Sequence, residues 1–151
     1  MRIFPDSNVW ISAFATRGLC YELVRGLLRR HGRGDIEVLL GQPVREEILR
    51  ILVEKFHATE NDLAPVRTTL DIAEPVPAAP GKPLPAVTDP DDVPVIASAL
   101  AGRAEIFVTG DQALLDLGSI EGLHILSPRQ CWQTLTGLKT TKSPRAGADT
   151  L

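Results

Sequence analysis

Short apolar runs alternate with longer segments whose apolar residues recur at helical spacing, and nothing else in this sequence constrains the fold as tightly. Arg2 to Pro5, Ile36 to Leu40, Ile106 to Thr109 and His124 to Leu126 have the length and composition of strands. Between and after them, helices are predicted over Val9 to Ala15, Leu19 to about Arg30, Pro43 to about Phe56, Val93 to Ala101, Asp111 to Leu117 and Pro128 to Leu135. Thr59-Glu60-Asn61-Asp62 opens a further helix to about Ala73. Parallel strands need a crossover, normally a helix, so this order predicts an α/β fold, a parallel sheet covered by helices on both faces.

The punctuation agrees. His31-Gly32-Arg33-Gly34 breaks one helix, and Gly41-Gln42-Pro43 starts the next, with Pro43 suited to a first turn. Residues 75 to 90 carry six prolines and read either as a linker between domains or as a loop within one. The loop is preferred, because neither flank of a 151-residue chain is long enough to bury a core alone. Val76 starts a short edge strand in that reading. From Gly137 the composition turns to Lys, Thr, Ser, Pro, Gly and Ala, so residues 1–136 are expected to form the domain and 137–151 a disordered tail.

Several function classes are disfavoured. No apolar run approaches the roughly 20 residues of a membrane span, and Asp6 comes too early for a secretory signal. The expectation is a cytoplasmic protein without a membrane partner. Cys20 and Cys131 lack Cys-x-x-Cys spacing and read as free thiols. No Gly-x-Gly-x-x-Gly follows the first strand, and His31, His57 and His124 have no motif context for a Ser or Cys hydrolase. Net charge is −3, so bulk charge does not favour a nucleic acid. The one basic cluster, Arg25, Arg29, Arg30, His31 and Arg33, is either a solvated helix end or a phosphate-contacting edge. Trp10, Phe14, Leu19 and Tyr21 make either an exposed interface patch or part of the core, and Trp132 packs or lines an interface.

Ligands of parallel sheets bind beyond the carboxyl ends of the strands. Asp6 and Asp111 lie at two such ends, and each also suits a helix N-cap. Glu47 is harder to explain structurally. It lies three residues after Val44 and four before Ile51, on the inward stripe completed by Ile48, Leu52 and Phe56. Its neighbour Glu46 falls on the polar face, in register with Arg50 for an i,i+4 pair. Asp92 stands three before Val95 and four before Ile96, inward at its helix start, with Asp89 as a plausible N-cap and Asp91 solvated. Inward carboxylates must be paired, neutralised or bound to a cation. Two at ~4 Å repel by about 1 kcal/mol even in water. Magnesium or manganese, both oxygen-seeking, relieves that repulsion and activates water for phosphoryl displacement. A phosphodiester substrate follows.

Asp6-Ser7-Asn8-Val9, Glu46-Glu47-Ile48-Leu49, Asp89-Pro90-Asp91-Asp92 and Thr109-Gly110-Asp111, in that order, resemble the PIN-domain family, in particular its VapC-like toxin branch. Ile125-Leu126-Ser127-Pro128-Arg129 fits the same branch, so the likeness spans roughly residues 1 to 136. The resemblance implies a three-layer α/β/α sandwich with a mostly parallel central sheet. It implies an Mg²⁺- or Mn²⁺-dependent endoribonuclease acting on single-stranded RNA, a homodimer, and neutralisation by a small antitoxin protein. Asp6, Glu47, Asp92 and Asp111 fall on the family's acidic positions as catalytic and metal residues. Asn8 and Thr109 fall on supporting polar positions, and Asp89 belongs to the same motif. Three features depart from the pattern: Ala113 where another acid is frequent, Pro5 before Asp6, and Gly41-Gln42-Pro43 in place of a Ser-led helix start. The alternatives are a catalytically weak PIN-like scaffold that binds RNA or protein, and a haloacid-dehalogenase-like phosphatase, which wants an Asp where Asn8 stands.

Overall fold

Ile3 and Phe4 are buried on successive residues, as are Ile106, Phe107 and Val108, so both faces of these two strands are covered. They are the centre of the sheet. The computed structural model describes residues 1–79 and 83–142, with side chains through residue 137. In chain order the elements are β1 (Arg2–Pro5), α1 (Ser7–Ala15), α2 (Leu19–Arg33), β2 (Glu37–Gly41), α3 (Gln42–Phe56), α4 (Glu60–Leu70) and β3 (Glu74–Val76). A 3-10 turn, Pro90–Asp92, leads into α5 (Val93–Ala101), followed by β4 (Ile106–Val108), α6 (Gln112–Leu115), β5 (Ser119–Ile120), β6 (Leu123–Leu126) and α7 (Pro128–Lys142).

The sheet order is β3-β2-β1-β4-β6-β5. All pairings are parallel except β5 with β6. From β1 the chain builds outward to β2 and β3, then crosses to the other side for β4. The gap between the ends of β1 and β4 is therefore the topological switch point. Phe4 and Phe107 are register partners, and their rings stack at 5.6 Å. Helices α2 and α7 pack together, as do α3 and α5, and both α2 and α5 contact β2. This is the expected α/β/α sandwich. No described helix is long and apolar enough to cross a membrane.

One glycine sets the spacing of a layer. A Cβ on Gly41 would stand 2.3 Å from Ser98 Oγ and 3.0 Å from Phe4 Cζ. Only hydrogen there lets α5 approach the end of β2. Pro5 ends β1 without disturbing it: the backbone N–H of Asp6 reaches Val108 O at 2.8 Å, so the missing donor of Pro5 faces β2, whose register with β1 covers only Arg2 and Ile3.

Several expectations are corrected. Helix α2 runs through Gly32 to Arg33; Gly34, at φ 81°, closes it with its N–H on the carbonyls of Arg30 and His31. Helix α4 stops at Leu70 instead of Ala73. Helix α6 ends at Leu115. Helix α7 continues through Gly137 to Lys142, so those residues are helix and not tail; 143–151 lie outside the described residues. Strand β5 was not foreseen. It joins β6 through Glu121 and Gly122, at φ 49° and 88°, the two positive values a tight hairpin turn requires. Glu46 accepts from Gln42 at 3.1 Å, and Arg50 pairs with Glu54 instead. Phe56 ends α3 at 52% exposure, off the buried stripe where it was expected. Trp10 is fully buried against Phe14, so it belongs to the core and not to an exposed patch. Tyr21 is half-buried, with Arg17 and Arg25 over its ring.

Both cysteines are free; burial pushes the Cys131 thiol up to about 12. His31 Nδ1 accepts the N–H of Val38 at 3.0 Å and so ties the end of α2 to β2.

Candidate metal centre at the sheet switch point

Strand β1 delivers Asp6 to the carboxyl edge of the sheet, where it becomes the N-cap of α1. The residue is buried, with 7% exposed. Oδ1 accepts the N–H of Ser7 at 2.8 Å. Oδ2 accepts from Thr109 Oγ1 at 2.9 Å and from Asn8 Nδ2 at 3.2 Å. Thr109 is fully buried at the end of β4, and its hydroxyl oxygen accepts the N–H of Asp111 at 3.0 Å. Asn8 Oδ1 takes the N–H of Gly110 at 3.2 Å. Asn8 and Thr109 thus tie the ends of β1 and β4 together and fix the Asp6 carboxylate between them.

Asp111 caps α6 by accepting the N–H of Ala113 at 2.9 Å. The position that departs from the family pattern therefore serves Asp111 through its backbone. Glu47 projects from the first turns of α3, and its Oε1 accepts from Ser7 Oγ at 2.8 Å. Asp92 closes the 3-10 turn ahead of α5 and has no side-chain hydrogen bond among the described residues. Asp89 caps that turn, accepting the N–H of Asp91 at 2.9 Å.

Asp6, Glu47, Asp92 and Asp111 line one crevice of about 200 Å³, with Ser7 and Asn8 beside them and Ile11, Ile51 and Val95 as apolar wall. Asp91, exposed as expected of a solvated side chain, also lines it. Asp89 does not; its carboxylate acts on Asp92 only through charge. In the sequence Ser7 signals only a helix start. Nothing local reveals its bond to Glu47, forty positions away.

Burial raises the Asp6 carboxyl above its usual value, and the charges of Glu47 and Asp111 add to this against the bonds from Ser7 and Thr109. Asp92 is pushed up to about 6, by desolvation first and then by Asp89, Asp111, Asp6 and Glu47. The crevice therefore holds more negative charge than its own cations balance. Among the described residues, no three acidic, His or Cys side chains converge closely enough to hold an ion as they stand. The donor set is nevertheless all oxygen, with no thiolate or imidazole in the lining. Such a set fits a hard divalent ion that keeps several waters of its own.

An α/β sandwich with an acid-lined crevice at its switch point is the class that fold and site define. The chain belongs to the PIN-domain family, whose model matches residues 2–113. The fold is similar to a chain in the crystal structure of VapBC2 from Rickettsia felis bound to a DNA fragment from their promoter. Identity is 14% over 84% of this chain and 98% of that one, with a TM-score of 0.61, so the likeness concerns the fold alone. No curated protein matches the chain in sequence.

Proposed function

We propose that this chain is a metal-dependent endoribonuclease that cleaves single-stranded RNA, the toxin component of a type II toxin–antitoxin pair. The observation that carries the reading is the crevice itself: Asp6, Glu47, Asp92 and Asp111 share one mouth, and two of their carboxyls are raised by burial and mutual repulsion. Membership of the PIN family supports nuclease chemistry, and the likeness to a VapBC2 chain supports a small antitoxin protein as partner. A homodimer in the cytoplasm belongs to the same reading.

Asp6, Asp92 and Asp111 would hold Mg²⁺ or Mn²⁺, with Glu47 reaching its waters. The ion supplies an activated water and charge neutralisation at the phosphoryl oxygens. The chain's own groups do the positioning. Thr109 and Asn8 fix Asp6 Oδ2 and the Ser7 N–H fixes Oδ1, so the carboxylate need not reorganise when substrate arrives. Ser7 holds Glu47 in one orientation through a single hydroxyl. The apolar wall of Ile11, Ile51 and Val95 limits water access on one side of the crevice. A haloacid-dehalogenase-like phosphatase is disfavoured, because Asn8 is an amide held by Gly110 and Asp6.

The test is cleavage of a fluorogenic single-stranded RNA in Mn²⁺. Wild type cuts and EDTA stops it. Asp6→Asn keeps its circular dichroism spectrum and loses cleavage. Undiminished cutting by that variant overturns the assignment, whereas RNA binding without cutting by wild type assigns a scaffold, in keeping with Ala113.

A further inference from the structure

Helix α2 has two faces. Leu23, Val24 and Leu27 are buried and serve the core. Glu22, Gly26, Arg29, Arg30 and Arg33 follow each other at helical spacing on the adjoining stripe, beside α7. The two helices come close at Gly26, where a Cβ would meet Arg30 Nη1 at 3.0 Å and Trp132 Cζ3 at 3.4 Å. Around that point they leave a cleft of about 230 Å³, lined by Glu22, Gly26, Arg29, Arg30, Arg33 and Trp132.

Three guanidinium groups in so small a cleft repel one another, and little in the chain offsets them. Arg33 pairs with the exposed Asp35 at 3.1 Å. Arg30 spends one donor on Gly26 O at 3.1 Å. Among the described residues no carboxylate lies within 4.0 Å of Arg29 or Arg30. Burial, then Arg33 and Arg29, hold the Arg30 guanidinium below its ordinary value. A chain of net charge −3 thus keeps a cleft of three guanidinium groups only partly offset, by Asp35 on Arg33 and by Glu22 in the lining. Arg33 is the last residue of α2, which leads back to the start of β2, so the cleft lies towards the amino ends of the strands. The acid crevice lies at the other ends. Guanidinium forks match pairs of phosphate oxygens, and an indole beside them suits a nucleoside.

The geometry points to the α2–α7 cleft as a second RNA contact: Arg29, Arg30 and Arg33 grip a phosphodiester of the single strand, and Trp132 packs beside the adjoining nucleoside. The choice of RNA rests on the nuclease reading. The two sites share no lining residue and lie towards opposite ends of the strands, so contact with both needs a strand of several nucleotides.

The test is fluorescence anisotropy of a labelled single-stranded RNA 12-mer with the full chain in EDTA, where no cleavage occurs. Arg29→Ala with Arg33→Ala, both at exposed positions, is expected to weaken binding roughly tenfold at low salt. The slope of log affinity against log salt should fall by about 0.7 for each phosphate released. Arg17→Ala with Arg25→Ala removes equal charge outside the cleft and should change the slope less. An unchanged 12-mer affinity, or an equal loss in the two double variants, overturns the proposal. So does a cleft that binds oligoglutamate with loss only of that ligand in Arg29→Ala/Arg33→Ala, which would assign it to an acidic protein segment. If wild type fails to cut in Mn²⁺ while the cleft effect stands, the nuclease reading falls and the RNA contact does not.

Discussion

Among the described residues no donor reaches the Asp92 carboxylate, and desolvation and four acids push it up to about 6. Its folded value lies above its unfolded one. The folded state therefore binds the proton more readily, and stability falls as pH rises from about 4 through about 6. Asp6 acts in the same direction. The metal-free protein should melt at higher temperature at pH 5 than at pH 7.5, and Asp92→Asn should flatten that difference in a thermal scan. An undiminished slope in the variant would show that Asp92 is not the group responsible. Ser7 offers a second test at this scale. Removing its hydroxyl leaves Glu47 Oε1 without its 2.8 Å donor while Asp6 keeps the Ser7 backbone N–H. Ser7→Ala should lower kcat on RNA with little change in KM, since orientation and not binding is lost. Equal kcat in steady-state assays would reduce Ser7 to a helix-start residue.

At the scale of elements, burial patterns were legible where they are long and periodic. The inward positions Val44, Ile48 and Leu52 of α3, and Val95, Ile96 and Ala99 of α5, are buried as the spacing requires, and the same spacing brought Glu47 and Asp92 towards the crevice. The order of strands and helices was readable because a parallel sheet imposes it. What escaped was short or long-range. A strand of two residues, Ser119–Ile120, has no period to detect. Helix α2 continued past Gly32 because the left-handed cap is supplied two residues later. The bond between Ser7 and Glu47 exists only once α1 packs on α3. Gly41 belongs here too: in the sequence it is punctuation, and in the fold it is the point where α5 meets the end of β2. A methyl group there would overlap Ser98 Oγ and crowd Phe4 Cζ, so these side chains must turn or α5 must shift. Gly41→Ala should cost about 1–3 kcal/mol by overpacking, read as a lower urea midpoint at unchanged slope. Gly41→Ala with no loss would mean that α5 can retreat freely.

For the molecule as a whole, the sheet has a polarity of charge. Four carboxylates gather where β1 and β4 end, and the arginines of α2 collect towards the opposite ends of the strands. The acid end carries a repulsion that a bound divalent ion would relieve, so the proposed metal binding should be visible in global stability without any assay of cleavage. A ligand that binds the folded state alone stabilises it by about 2.7 kcal/mol at a hundredfold excess over its dissociation constant. Mn²⁺ should therefore raise the melting temperature more than Na⁺ at equal ionic strength. The informative variants are those in which an amide leaves the hydrogen bonds intact. Asp111→Asn can still accept the N–H of Ala113, and Asp92→Asn has no side-chain bond to lose among the described residues. Both should melt above wild type in EDTA, because one repelling charge is gone, and both should gain less from Mn²⁺. Asp6→Asn is less clean, since its Oδ2 takes two donors that an amide nitrogen would oppose. If Mn²⁺ and Mg²⁺ leave the wild-type melt unmoved, and Asp111→Asn and Asp92→Asn melt below it in EDTA, the acids serve as caps and the crevice has no use for an ion.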